Sequence, residues 1–340
     1  MIQASLFVPP VYQNNRIFDL SNSTLNRDNC LYAFYLLRQH LLEHDINLST
    51  SDLSPPGQSS VVIYNEMPKQ MPSKSDKGKS YLLLFESELI RPDNWDLEKH
   101  QYFEKIFTWH DDFVDNEKYF KMNFSHSFPK HHNNKSPKKE NLCTLIAGNH
   151  KSHHPLELYS QRSEAIKWFG RHHPDKFDFY GTGWDRYTSS NRYLRFLLMR
   201  INMPSIFKPN FCCYRGVVSS KKETLEKYKF AICYENAKDL PGYITEKIFD
   251  CFFAGCVPIY WGASNVVEHI PKDCFIDKRD FPTYELLYNF IAHMHDEIYK
   301  QYLTNIAHYL ASETSNQYKA NYFAETITEI VLRDVNQVQN

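Results

Sequence analysis

The sequence predicts an α/β fold of two domains with parallel sheets, on three observations. Short apolar runs, among them 61–64, 81–85, 105–109, 142–147 and 230–234, have the length of buried strands rather than of helices. Helical-period stretches lie between several of them, and a strand–helix–strand crossover joins parallel strands. At 340 residues and 42% hydrophobic, the chain has length and apolar mass for two cores.

Residues 4–9 read as a first strand that stops at Pro9-Pro10. After Asp28-Asn29, the residues Leu31, Phe34, Tyr35, Leu41 and Leu42 share one helical face, which predicts a helix reaching Glu43. The Ser/Pro/Gly stretch 49–59 reads as loop, 61–64 as a buried strand and 66–80 as a polar loop. Strand 81–85 runs into Glu86-Ser87-Glu88. A carboxylate at the carboxyl end of a parallel strand faces the crevice where such folds place their chemistry. Strand 105–109 precedes His110-Asp111-Asp112, and the polar stretch KHHNNKSPKKEN at 130–141 is the least core-like, so the boundary falls there, with domains 1–138 and 139–340.

The second domain opens with strand 142–147, the loop Gly148-Asn149-His150-Lys151-Ser152 and a helix over 158–171 that carries Arg162. Strand 177–180 and Gly181-Thr182-Gly183-Trp184 repeat that order, and Tyr214-Arg215-Gly216 precedes a helix ending at Tyr228. Beyond Gly262, a short strand at 275–277 and amphipathic helices over 283–293, 297–310 and 322–335 close the chain.

Most informative is the stretch 228–262, YKFAICYENAKDLPGYITEKIFDCFFAGCVPIYWG. Strand 230–234 gives way to a loop with Pro241 and Gly242, a helix that Thr245 and Glu246 open and Gly255 stops, and strand 257–261. Asn236, Tyr243, Glu246 and Lys247 crowd the turn into that helix, where free N–H groups and the helix dipole favour an anion. A capped crossover helix with a solvated Glu-Lys pair accounts for the same residues equally well.

The string YENxxxxxGYITEKIFDCFxAGCVPIYWG resembles the donor-binding signature of the α-1,3/4-fucosyltransferases, glycosyltransferase family 10, in its soluble bacterial form. Weaker similarity runs from Leu142 to Phe281. The resemblance implies the GT-B architecture: two Rossmann-like domains whose parallel sheets face across a cleft, the last helix crossing back onto the N-terminal one. It implies GDP-fucose bound by the C-terminal domain, a glycan or glycolipid acceptor of GlcNAc or Glc type entering from the N-terminal domain, and transfer with inversion. In that frame Phe85-Glu86-Ser87 resembles the segment holding the general base, which makes Glu86 the candidate with Glu88 in reserve. Arg215 matches an arginine that contacts the diphosphate, a role its bidentate fork suits. Glu246 takes the ribose hydroxyls, Lys247 shares the diphosphate with the helix N-terminus, and Asn236 and Tyr243 line the pocket. Asn149 and Arg162 lie near the donor, while Asp111 and Asp112 stay loop or acceptor-side residues. The alternatives are a GT-B enzyme for another nucleotide sugar, or a sugar-nucleotide-binding protein without activity.

Composition excludes other classes. Lys+Arg 39 against Asp+Glu 40 leaves a net charge of −1, with no field to recruit nucleic acid. No D-x-D occurs to hold a divalent ion on a diphosphate, and the pairs His131-His132, His153-His154 and His172-His173 lack ligand spacing, so no essential metal or cofactor is expected. Eight cysteines without a CxxC pair read as buried free thiols of a reducing compartment. No stretch reaches the roughly 18 apolar residues that span a bilayer. The expectation is a cytoplasmic protein, with peripheral membrane contact left open.

Overall fold

A computed structural model describes residues 1–129, 139–186, 189, 191–200 and 211–339, so residues 130–138 of the expected linker at 130–141, with the pair His131-His132, lie outside the described residues. The chain forms two compact units: Met1–Phe128 with Pro241–Tyr243 and Glu313–Asn340, and Pro129–Leu240 with Ile244–Ser312.

The first unit holds β1 (Ile2–Phe7), α1 (Tyr32–Glu43), β2 (Ile46–Thr50), β3 (Val61–Asn65), β4 (Ser80–Leu84), α2 (Leu97–His100), β5 (Lys105–Thr108) and β6 (Tyr119–Lys121). Its sheet runs β2-β1-β3-β4-β5-β6, every pairing parallel. A parallel sheet is covered on both faces, so its inner strands read as unbroken apolar runs. Val61 to Tyr64 and Tyr81 to Leu84 are accordingly buried throughout. The edge strands β2 and β6 escape the sequence reading: Asn47, Ser49 and Thr50 make β2 look like loop, and β6 has only three residues.

The second unit holds β7 (Asn141–Ile146), α3 (Tyr159–His172), β8 (Phe177–Tyr180), α4 (Arg192–Arg200), α5 (Lys221–Leu225), β9 (Tyr228–Tyr234), α6 (Glu246–Phe253) and β10 (Val257–Trp261). It continues with α7 (Val266–His269), β11 (Ile276–Asp277), α8 (Tyr284–Ala292) and α9 (Asp296–Ala311). The sheet order is β11-β10-β9-β7-β8, all parallel. From β7 the chain steps outward to β8, then crosses to the other side of β7 to start β9. That reversal is a topological switch point, and ligands of open α/β sheets bind beyond the carboxyl ends of the two strands flanking it. In this unit those ends carry Ala147–Asn149 and Glu235-Asn236. The expected helix ending at Tyr228 is shorter, because Tyr228 already pairs with Asn141 in the sheet.

Helix α10 (Ala320–Gln339) belongs to the first unit. Phe323, Ala324, Ile327 and Val331 pack there with Leu37 and Leu41 of α1 against one sheet face. Tyr81, buried in β4, donates its hydroxyl to Asp334 Oδ2 at 3.0 Å. Tyr81→Phe should therefore lower stability by about 1 kcal/mol, read as a lower urea midpoint with unchanged slope; an unchanged midpoint means the bond contributes nothing.

Candidate functional site

The carboxyl end of β9 places a fully buried carboxylate, Glu235, beneath the start of α6. Glu235 Oε1 accepts from the Thr245 amide at 2.8 Å, and Oε2 accepts from the Thr245 hydroxyl at 2.7 Å. Lys247 Nζ lies 3.2 Å from Glu235 Oε2 and 3.5 Å from Glu246 Oε1. Burial pulls the Lys247 ammonium down, but Glu246 and Glu235 outweigh it and hold it above its ordinary value. Glu246 is partly exposed and also faces Lys221, 3.7 Å away, which Asp250 holds at 2.8 Å.

Two expectations change here. Thr245 stands at the N-cap position, yet its side chain caps no helix amide, because its hydroxyl donates to Glu235 instead. Its amide is taken by the same carboxylate and is not offered to a ligand. Glu235 itself was missed, since an acid after an apolar run reads as a solvated strand end. The neighbouring Gly262 is its counterpart: a Cβ there would run into Glu235 Cγ and the Tyr260 hydroxyl. Gly262→Ala should cost about 2 kcal/mol, as overpacking does, and a melting temperature equal to the parent's would refute the fit.

Arg162 is buried on α3, and its Nη2 donates to Tyr234 O at 2.7 Å and to Asn236 Oδ1 at 3.0 Å. It thus orients Asn236 at the switch point. Asn149, at the end of β7, donates its Nδ2 to Gly183 O at 3.0 Å and ties that loop to Gly181-Thr182-Gly183. Beside it lies a cavity of about 430 Å³ whose walls include Asn149, Lys151, Ser160, Lys167 and Arg186. Three cations in its lining, Lys151, Lys167 and Arg186, outnumber the one carboxylate, Glu157, and suit an anionic ligand. Arg215 sits apart from that wall: its Nε meets Asp178 Oδ1 at 2.7 Å and Nη1 donates to Cys212 O, while the side chain stays 47% exposed.

In the first unit, Glu86 follows β4 half-buried, and Glu88 is exposed. The Glu86 peptide is held on both sides. Its N–H donates to Glu66 Oε1 at 3.0 Å, and its carbonyl accepts from Asn94 Nδ2 at 3.2 Å and from Trp95 Nε1 at 3.0 Å. Fully buried Asn94 also donates to Glu66 Oε2 and accepts from Met67 N–H. Glu66, just past β3, has φ +74°, a left-handed conformation costing an ordinary residue about 1 kcal/mol. Burial, the largest influence, pushes its carboxyl up to about 7. Neither Glu66 nor Asn94 gave a sequence signal.

Tyr243 is buried in the first unit, its ring 4.7 Å from that of Trp109 and 5.9 Å from that of Phe124. Gly242 beside it, at φ +80°, lies against the Trp109 carbonyl. Asp111 pairs with Lys121. Among the described residues there is no group of three His, Cys, Asp or Glu that could hold a metal, and no helix is long and apolar enough to cross a membrane.

The family model described as glycosyltransferase family 10 (fucosyltransferase) C-term matches residues 136–331, more than half of the chain. The alpha-(1,3)-fucosyltransferase FucT of Helicobacter pylori is 37% identical over 78 residues, 23% of this chain and 16% of that protein. The alpha-(1,4)-fucosyltransferase of Arabidopsis thaliana is 36% identical over 73 residues, 22% and 18% of the two chains. These matches therefore span under a fifth of either relative. Among solved structures, an alpha1,3-fucosyltransferase with GDP-fucose superposes with TM-score 0.53 at 18% identity, covering 96% of this chain and 90% of that one. HepE of Anabaena, in complex with UDP and glucose, gives 0.53 at 10% identity over 98% and 100%. At such identities the likeness is one of fold, the GT-B fold.

Proposed function

Because the chain belongs to glycosyltransferase family 10, the fucosyltransferases, we propose that it moves L-fucose from GDP-β-L-fucose to a hydroxyl of a GlcNAc- or Glc-type glycan, inverting the anomeric centre. The observation that carries the reading is the cluster after β9: Lys247 kept cationic beside Glu235 and Glu246, with Arg162 orienting Asn236 at the switch point. An ammonium held there matches the charge that builds on a departing diphosphate.

The roles divide as follows. The acceptor oxygen attacks the fucose anomeric carbon as its proton passes to the Glu86 carboxylate, and the bond from that carbon to the diphosphate oxygen breaks, releasing GDP. Lys247 and Arg215 neutralise the diphosphate, with Arg215 leaving Asp178 or bridging it to the phosphate. Glu246 accepts ribose hydroxyls, Asn236 and Tyr243 shape the nucleotide and fucose pocket, and Asn149 and Arg162 support it. With side chains serving the diphosphate, transfer needs no divalent metal, and the eight cysteines without a CxxC pair support a reaction in the reducing cytoplasm.

The test is GDP release from GDP-fucose across a panel of glycan acceptors, with a thermal-shift screen of sugar nucleotides. Fucosylated product, stabilisation by GDP and GDP-fucose but not UDP sugars, and a rate unchanged by EDTA are expected. Stabilisation without product on any acceptor would make the chain a binding protein, and stabilisation by a different nucleotide sugar would replace the donor.

A further inference from the structure

We propose that Glu66 is a positioning residue for transfer: with Asn94 it clamps the Glu86 peptide at both N–H and C=O, fixing the direction in which the Glu86 carboxylate leaves β4. The inference rests on Glu86 being the base.

The clamp is a network rather than a contact. Glu66 Oε1 holds the Glu86 amide, and Asn94 bridges Glu66 Oε2 to the Glu86 carbonyl. Trp95 Nε1 takes the same carbonyl. Asn94 is itself fixed, because its own carbonyl accepts from His100 Nε2 at 2.7 Å. A carbonyl only accepts, so Nε2 carries the hydrogen and Nδ1 accepts from the Tyr119 hydroxyl at 3.0 Å. Burial lowers the His100 pKa and keeps that neutral tautomer. A chain of bonds therefore runs from β6 through Tyr119, His100, Asn94 and Glu66 to Glu86, two residues past β4. The left-handed backbone at Glu66 points the same way, since strain of this kind persists where surrounding contacts over-determine it.

Glu66 also acts on Glu86 by charge. The charged groups facing its carboxyl are Glu86 and Arg91, and burial is what keeps it protonated into the neutral range. Glu66 titrates near pH 7, and the two carboxylates repel one another when both are ionised. Two coupled steps, one of them near neutrality, should shape the acid limb of kcat/KM.

The experiment compares the parent chain with Glu66→Gln, Glu66→Asp and Glu86→Gln in fucosyl transfer over pH 5–9, with melting temperatures alongside. Gln turns an accepting oxygen into a donor facing the Asn94 donor, while Asp keeps the charge but withdraws it from the Glu86 amide. Both should lower kcat roughly tenfold, the size of effect that misplacing a reacting group brings, with KM for GDP-fucose within about twofold. Glu66→Gln should also erase the neutral step. If Glu66→Gln melts below the assay temperature, Glu66→Asp carries the comparison. Parent kcat and pH profile in the Glu66 variants, with Glu86→Gln inactive, would overturn the positioning role and leave the base assignment standing. Full turnover in Glu86→Gln would overturn both.

Discussion

Glu86→Gln should bind GDP as the parent does and lose turnover by roughly 10²–10⁴-fold, the contribution of a positioned general base. The amide keeps the size of the side chain and the backbone bonds to Glu66, Asn94 and Trp95, none of which involves the Glu86 side chain. What it loses is the capacity to take a proton from the acceptor. Calorimetry with GDP and a transfer assay separate the two outcomes, and Glu88→Gln is the control: exposed Glu88 should be replaceable with little effect on rate. Turnover lost from Glu88→Gln and kept in Glu86→Gln would exchange their roles.

Lys247→Ala should combine a stability loss of about 3 kcal/mol with much weakened GDP binding, because removing one partner strands a buried charge. Glu235 is fully buried, and without Lys247 its carboxylate would keep only the Thr245 amide and hydroxyl. Glu235→Gln should cost less, since its amide oxygen still accepts from Thr245 while Lys247 retains Glu246 at 3.5 Å. The double variant should then be more stable than Lys247→Ala alone, a sign that only coupling through one charge pair produces. Denaturant melts of the three variants read this directly. Equal or additive losses would show that the pair is not energetically coupled.

Much of the fold was legible because burial on both faces of a parallel sheet leaves apolar runs of strand length bounded by polar and turn residues. Residues 177–180 and 257–261 match β8 and β10 residue for residue, and 61–64 differs from β3 by its last residue. The edge strands β2 and β6 were not legible, since an edge can be polar or short. Helix α4 was not read from the sequence either.

Sequence alone settled the crossover unit from β9 through α6 to β10 and its family, both of which are written in runs of neighbouring residues. Tertiary structure decided what those residues do to one another. Glu235 locks the start of α6 from ten positions away, Glu66 reaches Glu86 across twenty, and Tyr243 lodges against Trp109. Periodicity records which face of an element is apolar, but a buried carboxylate and its partner are joined by the fold, which brings together positions that share no pattern.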